Sequence, residues 1–78
     1  MIDQKKIIEA IAEHLALPVA DIDPESSLQD DLGLNPVEIA DLLHGMAENF
    51  HIVFDAGEPE QIKTAGDLIE TIEDKLLD

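Results

Sequence analysis

Asp21, Asp23 and Glu25 alternate along "DIDPESSLQDDL", the spacing at which a calcium-binding loop presents its first carboxylate ligands. Such a loop also needs glycine at its sixth position for a sharp turn and a bidentate glutamate at its twelfth. Those positions hold Ser26 and Leu32, so no formed calcium site is expected, only weak and nonspecific cation binding. His14, His44 and His51 share no i, i+4 spacing, and with no cysteine a thiolate zinc site, a disulfide and a cysteine nucleophile are all excluded. The histidines read as surface residues and no metal site is expected. Carboxylate pairs abound, but nineteen Asp and Glu in 78 residues produce pairs by number alone. A general acid also needs a buried pocket that a thin core hardly supplies, so no enzyme is expected. Ser26 and Ser27 are hydroxyls open to modification, and Ser26 with Gln29 also reads as a capping pair for the turn that follows.

Charge narrows the possible partners. Nineteen acidic residues against four Lys and Arg leave a formal charge of −15, which repels itself and weakens the fold in low salt. Phosphate backbones and anionic membranes need clustered cations, so nucleic acid and membrane surfaces are excluded, and a basic protein surface is the complementary partner. A hydrophobic fraction of 45% is too high for an acidic disordered tail. The length suits a single domain over 1–78 with one thin core, in a chain that buries only about 60% of the surface it exposes when unfolded. Charges inside the apolar run of "MIDQKKIIEAIAEHL" argue against a signal peptide, and no stretch is long enough for a membrane span, so a cytoplasmic monomer is the expectation.

The elements that position these residues are helical. Ile7, Ile8, Ile11, Ala12 and Leu15 follow the i, i+3, i+4 rule and predict a helix from about Asp3, as N-cap, to Leu15. A long segment follows, with Val19, Ile22, Leu28, Leu32 and Leu34 as apolar anchors and a short turn near Ser27 to Asp31. In "DDLGLNPVEIADLL" every helix-start signal agrees: Asn35 as N-cap, Pro36 at the first helical position, Glu38 reaching back to the cap. Ile39, Leu42, Leu43, Met46 and Phe50 form the buried stripe of this helix, while Glu38, Asp41, His44 and Glu48 point to solvent. Gly45 lowers its helix propensity by roughly 1 kcal/mol relative to alanine, so either something packs closely there or the loss is tolerated. Residues 51–63 read as a loop with one helical turn around Glu60 to Ile62, because a lone strand at Ile52 to Phe54 has no partner. Thr64 and Asp67 form a capping pair for a last helix with Leu68, Ile69, Ile72 and Leu76 on one face.

At "DDLGLNPVEIADLL" the chain resembles the acyl carrier proteins, whose second helix opens with D-L-G-x-D-S-L. The resemblance extends over the whole chain, through "IKTAGDLIETI", and implies an all-α fold, a four-helix bundle with three main helices, one short helix and a long first loop. It also implies a scaffold that carries an acyl chain as a thioester on 4′-phosphopantetheine joined to the serine of D-S-L. Asp31, Leu32 and Gly33 match the lead-in, Asn35 stands in the place of the aspartate and Val37 in that of the leucine. Pro36 stands where the serine belongs. Proline has no hydroxyl, so no phosphodiester forms there and no cofactor is expected. On this resemblance Glu38, Asp41, His44 and Glu48 match the partner-facing side of the second helix, and the chain is expected to dock on acyl-transfer or synthase-type enzymes of fatty-acid or polyketide pathways without carrying cargo. A carrier modified at Ser27 or Ser26, and an acidic inhibitor-type binder, are the alternatives.

Overall fold

Helix α1 spans Gln4–Leu15 in the computed structural model, which describes residues 4–77; the Asp3 cap expected for this helix lies outside them. Its stripe of Ile7, Ile11 and Ala12 is buried, and it packs against both of the other helices, α2 (Pro36–Phe50) and α3 (Ala65–Leu76). The remaining regular structure is two 3₁₀ turns, Val19–Asp21 and Pro59–Gln61, and no strand is formed among the described residues. This is the all-helical bundle expected, with the short fourth helix reduced to the single turn at Pro59–Gln61. The turn at Val19–Asp21 carries no clear signal in the sequence. It rotates Val19 outward, 46% exposed, so Val19 is not the core anchor expected of it. Ile22 and Leu28 do anchor the loop in the core, and Leu32 and Leu34 pack against it half-buried.

The long loop is held by the start of α3. A helix leaves its first N–H groups without partners inside the helix. Here Ala65 donates to the carbonyl of Ser26 at 3.0 Å and Gly66 to that of Pro24 at 2.8 Å. Asp67 N–H donates to Thr64 Oγ1 at 3.0 Å, while Asp67 Oδ2 accepts from Thr64 N–H, completing the capping box. A side chain at Gly66 would place its Cβ 2.7 Å from the Pro24 oxygen, so only glycine allows this approach. Leu28 N–H donates to the Lys63 carbonyl at 2.9 Å, and an isolated bridge joins Ser27 to Thr64. The turn after Ser27 is closed by that residue rather than by the Ser26–Gln29 pair expected. Ser27 Oγ accepts from Asp30 N–H at 3.1 Å, and Asp31 Oδ2 accepts from Ser27 N–H at 2.7 Å.

At the other end of α3, Lys75 Nζ lies 2.7 Å from Glu58 Oε1 and 5.7 Å from the Phe54 ring centroid. The same Glu58 oxygen accepts from Asp55 N–H at 2.7 Å. The hydrogen bond from Lys75, and then that from the Asp55 amide, hold the Glu58 carboxyl below the ordinary glutamate value. A carboxylate depressed in the folded state contributes stability that is present above its unfolded value and is lost as the pH falls through its folded one. Glu58→Gln should therefore be less stable than the parent at neutral pH, and the difference should close in acid, below the ordinary glutamate range. Urea titrations at stepped pH read it.

Two helices end on non-glycine residues in the left-handed region, α1 at Ala16 (φ 58°) and α2 at His51 (φ 56°). At the first of these ends Leu17 N–H donates to the Ala12 carbonyl at 2.9 Å, closing the helix as a glycine usually does. The left-handed conformation is unfavourable for alanine, and the extra unfolded-state freedom of glycine offsets part of what relief would bring. Ala16→Gly should stabilise the protein by about 0.5–1 kcal/mol in denaturant unfolding.

Candidate functional site

The start of α2 is built as its sequence demands. Asn35 Oδ1 accepts from Glu38 N–H at 2.8 Å, Glu38 Oε1 accepts from Asn35 N–H at 3.0 Å, and Pro36 occupies the first helical position. Pro36 is exposed and so is Val37, at 76%. The turn therefore presents two apolar side chains and no hydroxyl at residue 36. Its free donors would favour an anion, but the proline ring offers no atom to which a phosphate ester can be joined.

Beside Pro36 runs a groove of about 500 Å³, with apolar walls from Leu28, Ile39, Leu43 and Ile62 and Ser27 and Lys63 along its edge. Ile39 is only half-buried because its outer side faces this groove, and with Phe50 it forms the less covered part of a stripe whose Leu42, Leu43 and Met46 are fully in the core. The sequence reading missed the groove, since its walls come from segments far apart in the chain. Ser27 shares it with Pro36, while its hydroxyl oxygen serves the turn described above.

The four residues expected to face partners do lie together on the exposed side of α2. Each carboxylate among them already has an internal partner. Glu38 closes the capping box, Asp41 Oδ2 takes a 3.0 Å bond from His14 Nε2 on α1, and Glu48 Oε1 lies 2.6 Å from His44 Nε2 one turn away. His44 and Glu48 are exposed, as is Asp41, but the His14 side chain is only 28% exposed.

His14 is the residue whose role the sequence obscured. Its ring lies against Gly45, where a Cβ would sit 2.6 Å from His14 Cε1 and 2.7 Å from Nδ1. Of the two readings of Gly45, close packing is the one realised. A glycine in mid-helix was the available signal, but the identity of the group covering it was not legible. Among the described residues no group of three His, Cys, Asp or Glu is placed to hold a metal, and no helix is long and apolar enough to cross a membrane.

The sequence that forms this bundle matches a family of proteins along most of its length. Residues 5–72 match the family described as the phosphopantetheine attachment site. The chain is 35% identical over 68 residues to an acyl carrier protein of Exiguobacterium sp. (strain AT1b), covering 87% of this chain and 86% of that protein. It is likewise 35% identical over 65 residues to an acyl carrier protein of Exiguobacterium sibiricum, covering 83% and 82%. The chain belongs to the acyl carrier family.

The His14–Gly45 contact makes a definite double-mutant prediction. Gly45→Ala raises helix propensity but collides with the ring. In a His14→Ala background Gly45→Ala should stabilise by about 1 kcal/mol, and in the parent it should fall short of that by at least about 0.5 kcal/mol, as expected for residues in contact. Urea denaturation of the four proteins measures the coupling.

Proposed function

We propose that this chain is an acyl carrier family member that no longer carries a phosphopantetheine arm and serves as a docking or regulatory module for acyl-transfer or synthase-type enzymes. The observation that carries the reading is Pro36 at the first position of α2, in the place where the family joins its cofactor to a serine hydroxyl. The first turn of a helix suits a phosphate because of its free donors and positive dipole end, and it suits proline because one of those donors is spare. Exchange of serine for proline therefore removes the chemistry and keeps the scaffold. The capping box remains complete around it.

The partner is a basic protein surface, facing Glu38, Asp41 and Glu48 with His44 among them, and the chain acts as a monomer. The density of negative charge and the scarcity of lysines support this reading. A second reading places the arm on Ser27, which is favoured over Ser26 because Ser27 lines the same groove as Pro36. Its place in a loop turn rather than a helix start speaks against it.

One experiment separates the two. After incubation with coenzyme A and a broad-specificity phosphopantetheinyl transferase, the intact mass of the protein should be unchanged. A gain of one phosphopantetheine overturns the proposal, and peptide mapping then shows whether Ser27 holds it. The Pro36→Ser variant serves as the companion sample, and should fold with a stability within about 1 kcal/mol of the parent because the capping box stays in place.

A further inference from the structure

The apolar surface of α2 is wider than the core that it covers. Pro36, Ile39, Ala40 and Leu43 fall at i, i+3, i+4 and i+7, one continuous stripe of the helix. Leu43 is buried and Ile39 half-buried, whereas Pro36 and Ala40 are exposed. All four line the groove of about 500 Å³, together with Leu28 of the long loop and Ile62 after the Pro59–Gln61 turn. With only a methyl group at Ala40, α2 leaves its side of the groove open to solvent.

Charge and position narrow what fills it. The groove's volume lies within the range of ligand clefts, about 300–1,000 Å³, and takes more than one apolar side chain. Asp30, Glu60 and Lys63 also line it, two carboxylates against one ammonium, and none of the three has an ion-pair partner among the described residues. A carboxylate-headed lipid would be repelled by two of those three charges, and a second copy of this chain, at a formal −15, would be repelled as a whole. At about 100° per residue, Pro36 and Ala40 sit between Leu43 of the core stripe and His44 of the exposed face. A basic partner seated on that face therefore meets the groove at its border.

We propose that the groove between α2 and the Pro59–Gln61 turn is the anchor site for an amphipathic basic helix of a partner protein. That helix lays apolar side chains one turn apart against Pro36, Ile39 and Ala40, and places arginine or lysine over Asp30 and Glu60. This rests on the docking reading above and adds to it an apolar anchor beside the acidic face. An amphipathic helix in an apolar groove presents its anchors at just this spacing, and flanking cations suit a rim where carboxylates outnumber the ammonium. Lys63 opposes the cations, and so acts as a brake on binding.

The probe is a labelled, arginine-flanked alanine helix peptide with two leucines at i and i+4, and its control has alanine in place of both leucines. Fluorescence anisotropy at low ionic strength should show the parent binding the leucine peptide roughly tenfold more tightly than the control, the scale of a truncated interface anchor. Ala40→Trp, at an exposed helical position, covers the groove and should remove that preference. Asp30→Asn/Glu60→Gln should weaken the leucine peptide by about two- to fivefold, the scale of exposed charge contacts, and Lys63→Gln should tighten it. Circular dichroism confirms that each variant is folded. Equal affinity of the parent for the two peptides, or an undiminished preference in Ala40→Trp, overturns the proposal. Dodecanoate that displaces the leucine peptide from the parent but not from Lys63→Gln marks the groove as a fatty-acid site and overturns it too. The docking reading fails separately. A control peptide bound by the parent and released by salt keeps that reading whatever the leucines do, and a parent that binds neither peptide overturns both.

Discussion

The amide groups of Ala65 and Gly66 find no acceptor inside their own helix, and the carbonyls of Ser26 and Pro24 that receive them hold the bundle closed. Three α-helices with one thin core do not by themselves specify where a twenty-residue connection runs. Tying its middle to the N-terminus of α3 seats Ile22 and Leu28 in the core and leaves Ser27 beside Thr64. The start of α2 is delivered from the same segment, since Leu34 N–H donates to the Leu28 carbonyl just before Asn35. The groove next to Pro36 exists because these pieces converge, with one wall from the loop, one from α2 and one from the turn at Pro59–Gln61 and Ile62.

Electrostatics works against this arrangement everywhere except where carboxylates are put to local use. Asp31, Glu38, Glu58 and Asp67 each accept a backbone N–H, and Glu58 also holds Lys75. Acidic side chains at helix starts and turns satisfy orphan donors and meet the positive end of the helix dipole. Part of the acidity therefore serves the backbone. The α2 face is the place where carboxylates meet histidines instead, which sets it apart from the rest of an acidic surface.

Membership of the acyl carrier family and a proline at residue 36 pull in different directions chemically, yet in the structure they coexist without strain. The geometry that presents a hydroxyl to a phosphate is a helix N-terminus, and a helix N-terminus is also where proline fits best. On the proposed reading, a scaffold of this kind exchanges cargo chemistry for recognition at one position. The groove and the capped helix do not depend on which of the two it performs.

Local physics made the three helices, their caps and the family resemblance readable from residue order alone. The Asn35–Glu38 box, the Thr64–Asp67 box and the apolar stripes depend on neighbours three or four positions away, and the structure has them as the pattern implies. What residue order could not supply is whatever joins distant segments: the ring of His14 over Gly45, the loop carbonyls on α3, the groove, and the outward turn of Val19. Nothing in a histidine at position 14 points to a glycine thirty-one residues later, because that contact is set by how α1 packs on α2. The left-handed ends at Ala16 and His51 were equally hidden, since neither is the glycine that ordinarily marks such a helix end.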